Sequence, residues 1–256
     1  MTKDLNQAVR EVCLSFPEAE EYLSHGSPNF RVRGKTFATY VVNHHGDGRI
    51  ALWLNAPPGS QEQHTRAAAK HFFVPPYVGP RGWLGVQLDK GLSWQHIAAL
   101  VREAYEKVAP RALSGQIGKT IEIEPPTGSL APSEFDPLSS KRAQSVLKSL
   151  RKICLSLPET SEALQFGSPV WKAGKKTFAC AYYLAKALKL AFWVGVDRQG
   201  LLTADERFQI PQYMGHNGWI ALDVTRHCDW QEVGALALDS YRHFALRRML
   251  TALGEA

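Results

Sequence analysis

Cys13-Leu14-Ser15-Phe16-Pro17-Glu18 returns 141 residues later as Cys154-Leu155-Ser156-Leu157-Pro158-Glu159. The same interval carries Gly26-Ser27-Pro28 onto Gly167-Ser168-Pro169 and Lys35-Thr36-Phe37-Ala38 onto Lys176-Thr177-Phe178-Ala179. Further along, the interval shortens to 136 and maps Phe72, Pro75, Tyr77, Gly79, Gly82 and Trp83 onto Phe208, Pro211, Tyr213, Gly215, Gly218 and Trp219. Trp94-Gln95 likewise becomes Trp230-Gln231, and Tyr105 becomes Tyr241. Matches this numerous, in one order, mark an internal duplication.

Each copy reads alike. Leu5, Val9, Val12, Cys13 and Phe16 make a helical stripe, matched by Val146, Leu150, Ile153, Cys154 and Leu157. Pro17 and Pro158 end those helices. Strand-like runs follow at 28–33 with 35–42, and at 169–173 with 175–183. A third strand is expected at 49–54 and 189–194, then a short helix around 61–71 and 202–208. A Gly-Trp strand at 83–88 and 219–224 leads into a last helix capped by Ser93 or Asp229. The order α-β-β-β-α-β-α predicts an α+β fold: two tandem domains, each a mostly antiparallel sheet covered by helices on one face.

The domains are expected at 1–110 and 141–256. Between them, 111–140 holds Pro125, Pro126, Pro132 and Pro137 with Gly115, Gly118 and Gly128, which reads as a linker in which Thr120-Ile-Glu-Ile adds at most a short edge strand. The linker allows the copies either to sit side by side as a pseudo-dimer within one chain or to swing independently.

With 45% hydrophobic and 21% charged residues the chain has a globular composition. No apolar run reaches the roughly 18–20 residues a membrane helix needs, and the N-terminus lacks a signal-peptide apolar core, so a cytoplasmic location and no membrane partner are expected. Four widely spaced cysteines without a C-x-x-C fit neither a zinc site nor a disulfide scaffold, and Cys13 and Cys154, at one position of the two copies on an apolar helix face, read as buried free thiols. Residues 1–110 carry 12 basic and 10 acidic side chains (net +2), 111–140 carry 2 and 4 (net −2), and 141–256 carry 16 and 10 (net +6). The second copy is the basic one, which suits a polyanion partner.

A helix closing on Leu-Ser-x-Pro-Glu, then Gly-Ser-Pro-x-Phe/Trp, Gly-Lys-x-Phe-Ala, and a Gly-Trp strand before a Tyr-bearing helix resembles the MmcQ/YjbR family along nearly the whole of both copies. The resemblance implies a frataxin (CyaY)-like fold with a double-wing relation to certain phage transcription factors, and DNA binding. The tandem arrangement departs from the family's usual single copy. So do the residues before each Trp, Pro80-Arg81-Gly82 in one copy and His216-Asn217-Gly218 in the other.

The basic hairpins are the first candidate site. Arg31, Arg33, Lys35 and Arg49 in one copy, and Lys172, Lys175, Lys176 and Lys189 in the other, would meet the phosphates of duplex DNA, Arg31 and Arg33 sharing a strand face. A solvated sheet face is the plain alternative. Trp83 and Trp219 are the second candidate, as stacking platforms for a ligand or partner protein, or as ends of the core. No phosphate loop, dinucleotide fingerprint or nucleophile elbow occurs, so no catalytic residue, enzyme activity or cofactor is expected. His44-His45, His64, His71 and His227-Cys228-Asp229 do not repeat between copies and lack i, i+4 ligand spacing, so no metal is expected.

Overall fold

The computed structural model describes residues 4–128, 130 and 132–254. It divides into two compact units, 1–131 and 132–256. The first runs α1 (Leu5–Leu14), β1 (Ala19–Ser24), β2 (Ser27–Val32), β3 (Lys35–Val42), β4 (Ile50–Leu54), α2 (Ser60–Ala67), β5 (Phe72–Phe73), β6 (Leu84–Gln87), α3 (Trp94–Val108) and α4 (Arg111–Ser114). The second runs α5 (Pro132–Phe135), α6 (Lys141–Leu155), β7 (Thr160–Gln165), β8 (Ser168–Ala173), β9 (Lys176–Leu184), β10 (Ala187–Trp193), α7 (Val196–Leu202), β11 (Phe208–Gln209), β12 (Trp219–Asp223), α8 (Trp230–Phe244) and α9 (Arg247–Ala252). Each unit holds one antiparallel six-stranded sheet, ordered β1-β2-β3-β4-β6-β5 and β7-β8-β9-β10-β12-β11.

Side-chain caps start the long helices. Asp4 accepts from Gln7 N at α1, Ser93 from His96 N at α3, Ser140 from Ala143 N at α6, and Asp229 from Gln231 N and Glu232 N at α8. The apolar stripes then bury against one sheet face. Val9, Val12, Ile97, Val101 and Tyr105 meet Phe30, Phe37, Leu52, Leu84 and Val86 in the first unit. Val146, Leu150, Val233 and Tyr241 meet Trp171, Phe178, Leu190, Ile220 and Leu222 in the second.

The repeated sequence motifs turn out to be scaffold. Tyr105 donates from its hydroxyl to Pro17 O at 2.6 Å, and Tyr241 to Pro158 O at 2.8 Å, so the last helix pins the turn that follows the first. Arg10 and Glu21 pair at 2.8 Å, and Arg151 and Glu162 at 2.5 Å, tying the first helix of each unit to its first strand.

Three expectations change. Each unit gains two strands: β1 and β7 directly after the first helix, and the two-residue β5 and β11. The former alternate charged and apolar residues too weakly to announce a strand. The second copy's short helix lies at 196–202 rather than 202–208, because Gly195, at φ 83°, supplies the left-handed start. Thr120-Ile-Glu-Ile forms no strand, and the stretch read as linker divides between the units: Leu113 and Ile123 are buried in the first core with Ile117, Ile121 and Leu130 against it, while Leu138 packs on the second core. Between the short α4 and α5 the Pro and Gly residues keep the backbone irregular without preventing apolar burial.

Candidate functional sites on the hairpins and the outer sheet face

β2 and β3 of the first unit meet in a two-residue turn in which Arg33 (φ 48°) and Gly34 (φ 77°) are both left-handed. Arg33 therefore lies outside β2, and strand parity does not align it with Arg31. Both arginines are matched by neighbouring carboxylates. Arg31 bonds Glu20 at 2.7 Å and sits 4.6 Å from the Tyr22 ring centre, while Arg33 forms a two-pronged pair with Glu18. Arg49 bonds Asp47 at 3.4 Å and covers the Phe73 ring at 4.3 Å. Lys35 is exposed.

The second unit's hairpin differs. Lys172 stands at the position of Arg31, but across from it in β7 is Ser161 where the first unit has Glu20. Glu159, the counterpart of Glu18, is taken by Arg248 at 2.6 Å. Lys172, half-buried, and the exposed Lys175 and Lys176 have no ion-pair partner among the described residues. Lys189 corrects the sequence expectation. It is 8% exposed and its ammonium donates to Gln209 Oε1, so it is not presented to solvent as Lys175 and Lys176 are.

The sheet face away from the helices holds the tryptophans. In the first unit, Leu84, Val86 and Leu88 join the helix-covered core, whereas Trp83 packs with Trp53, Val41, Ala51, Phe73 and Val78 on the outer side. Along that side an open cleft of about 440 Å³ is lined by Asn29, Thr36, Thr39, Asn55, Val78, Arg81 and Trp83. Its polar groups are held in place. Asn29 donates to Ser27 O at 2.9 Å and accepts from the Thr39 hydroxyl at 2.6 Å. Thr36 and Tyr22 share a hydroxyl bond at 2.6 Å, and Asn55 donates to Thr36 O at 3.3 Å and accepts from Lys107 Nζ at 2.7 Å. Burial lowers the pKa of Lys107.

A loop caps this face in both units, and a glutamine that sequence reasoning passed over holds it. Gln61 Nε2 donates to Gly79 O and Trp83 O at 2.9 and 2.5 Å; Gln199 Nε2 donates to Gly215 O and Trp219 O at 2.7 and 2.6 Å. The signal was available, since the two glutamines are 138 residues apart, between the 141 and 136 intervals of the flanking repeats. The loop's Tyr77 and Tyr213 are both left-handed, at φ 62° and 69°, and both exposed. Trp219, by contrast, is 8% exposed within an apolar cluster of Val170, Cys180, Ala191 and Ala221.

The β3–β4 turn carries the histidine pair. His44 packs edge-on to Trp53 at 4.8 Å and lies 3.9 Å from the His45 ring, which bonds the Tyr77 hydroxyl at 3.1 Å. Burial first, then His45, hold the His44 pKa at about 4 against an ordinary 6.5, with Asp47 opposing. The folded protein keeps this ring neutral, while the unfolded chain takes up the proton below the ordinary value. Its contribution to stability is therefore complete above about 6.5 and is lost as pH falls toward about 4. Allowing for solvent screening at a half-exposed site, the loss is about 1–2 kcal/mol. Urea titrations at pH 7 and pH 4.5 should show His44→Asn reducing the acid destabilisation by that amount; an unchanged difference refutes the assignment.

Among the described residues no group of three His, Cys, Asp or Glu side chains could hold a metal ion, and no helix is long and apolar enough to cross a membrane. Cys13, Cys154 and Cys180 are buried, and burial pushes Cys180 up to about 12 and the half-buried Cys228 to about 11, away from thiolate chemistry.

Two tandem α+β domains, each with helices on one sheet face and a Gly-Trp loop closing part of the other, define the class. The chain belongs to the YjbR family, whose model matches residues 14–107 and again 155–243. It is also similar to the crystal structure of Deinococcus radiodurans protein DR2400, which carries a DUF419 domain, at 18% identity over 51% of this chain and 97% of that one, with a TM-score of 0.38. No curated protein matches.

Proposed function

We propose that this is a non-enzymatic, cytoplasmic protein that binds duplex DNA through the phosphate backbone, with the β8–β9 hairpin of the second unit as the contact. One observation carries the reading. Lys172, Lys175 and Lys176 share one hairpin and have no carboxylate partner among the described residues, whereas Arg31 and Arg33 of the matching hairpin are bound to Glu20 and Glu18. Arginines already paired within the protein must break those pairs to meet a phosphate; unpaired lysines need only shed water and counterions. The net charge of the second copy supports the same assignment.

Fluorescence anisotropy with a labelled duplex at two salt concentrations is the test. Affinity should fall steeply with salt. Lys172→Gln/Lys175→Gln/Lys176→Gln should weaken binding at least about tenfold and flatten the log–log salt slope by about 3. Lys189→Met and Arg31→Gln should leave it nearly unchanged. Absence of binding at low salt, or equal loss from Lys189→Met, rejects the proposal.

A further inference from the structure

The two units differ most where their scaffolds are most alike. Strand register places Asn29, Thr39 and Asn55 of the first unit opposite Val170, Cys180 and Trp193 of the second, while Arg81 corresponds to Asn217 and Trp83 to Trp219. Across the outer face, the first sheet shows Tyr22, Asn29, Thr39 and Trp53 in one row, and the second shows Ala163, Val170, Cys180 and Ala191.

The second unit has closed this face. Trp193 packs on the outer apolar cluster, stacks on His243 at 3.4 Å, and bonds Asn217 O through Nε1 at 2.9 Å. In the first unit the same two positions are Asn55 and Lys107, joined by a hydrogen bond beside an open cleft. The fold is therefore content with Val, Cys and Trp at positions where the first copy keeps Asn, Thr and Asn. Asn29 is buried and Thr39 and Asn55 are half-buried, and polar groups so placed each need a hydrogen-bond partner that the apolar set does not. In the first copy they bond Ser27 O, Thr36 O, Lys107 and one another, which leaves a preorganised polar cleft open where the second copy has sealed the face.

The lining chemistry defines the ligand that such a cleft would take. Among the described residues no carboxylate lines the cleft and the exposed Arg81 has no ion-pair partner. A guanidinium offers a forked pair of donors to a carboxylate or phosphate. The half-buried Trp83 indole offers an aromatic surface, and the hydroxyls and amides between them retain hydrogen-bonding capacity. We infer that the first unit's cleft binds a small anion bearing a flat unsaturated ring, with Arg81 at the anionic group and Trp83 against the ring. The cleft belongs to the first unit and the lysine hairpin to the second, and ligand binding in the cleft does not depend on DNA binding.

Calorimetric or tryptophan-fluorescence titration of the full chain tests it. The probes are adenosine monophosphate and 4-hydroxybenzoate, with adenosine and phenol as their ring-only comparisons and ribose 5-phosphate and acetate as their anion-only ones. At least one ring-bearing anion should bind saturably, tighter than about 1 mM. It should bind at least about tenfold more tightly than either of its stripped comparisons. Which of the two binds separates a phosphate from a carboxylate source. Asn55→Trp, which imports the second unit's residue, should abolish binding; Arg81→Gln, at an exposed position, covers the case in which that variant misfolds and should weaken it at least about tenfold. The triple lysine variant of the second unit should bind the small ligand normally. Failure of both ring-bearing anions, equal binding of an anion-only comparison, or wild-type affinity in Arg81→Gln overturns the inference.

Discussion

Gln199→Leu should destabilise the second unit by about 2–3 kcal/mol, more than almost any other change that leaves the apolar core intact. The side chain is 5% exposed, and its amide donates to both Gly215 O and Trp219 O. Leucine preserves the volume but removes the donor. Gly215 O keeps a bond from Gly218 N at 3.0 Å, so most of the cost falls on Trp219 O, at the head of β12. The equivalent Gln61→Leu should cost about half as much, because Gln61 is only half-buried and water can replace its amide. Chemical denaturation of the two single variants gives the comparison. Equal effects would show that the loop carbonyls are not what the glutamines satisfy.

Trp171→Ala should cost the second unit about 3–5 kcal/mol, through lost burial and the cavity left behind. Trp171 is fully buried, and its indole Nε1 is buried without a hydrogen-bond partner among the described residues. That orphan donor makes Trp171→Phe the informative companion. Phenylalanine is what the first unit places there, as Phe30. The substitution deletes some packing but also deletes the unsatisfied N–H, so its net cost should stay below about 1.5 kcal/mol. Urea unfolding of both variants decides the point; a Trp171→Phe cost close to that of alanine would mean the N–H is satisfied in solution.

Legibility in the sequence followed the range of the interaction. Helix stripes, proline stops, capping residues and the duplication were readable because each is set by neighbours a few residues apart, or by direct comparison of one copy with the other. β1 and β7 were not, since Ala19-Glu-Glu-Tyr-Leu-Ser has little strand character and is held by pairing to β2 and by the Arg10–Glu21 contact. Residues 111–140 read as linker because proline and glycine signal irregular backbone, and such a stretch can still bury Leu113 and Ile123.

The candidate sites divide in the same way. Basic residues on the hairpins were visible as charge. Whether that charge is available was not, because it depends on carboxylates brought across a strand pair: Glu20 beside Arg31, but Ser161 beside Lys172. Lys189 looked like its neighbours in sequence and proved buried, since its strand is central and Gln209 on the edge strand β11 reaches its ammonium across β12. Trp83 and Trp219 were correctly paired as equivalent positions, yet one lines an open cleft and the other is sealed in an apolar cluster. The difference is made by residues on other strands.

The sequence by itself determined that one α+β domain occurs twice and which side chains face the helices, because periodicity and repetition are properties of a linear pattern. Only the tertiary structure decided which charges are free and which copy keeps its outer face open. Those depend on what strand pairing sets side by side, and pairing partners far apart in the chain leave no local mark.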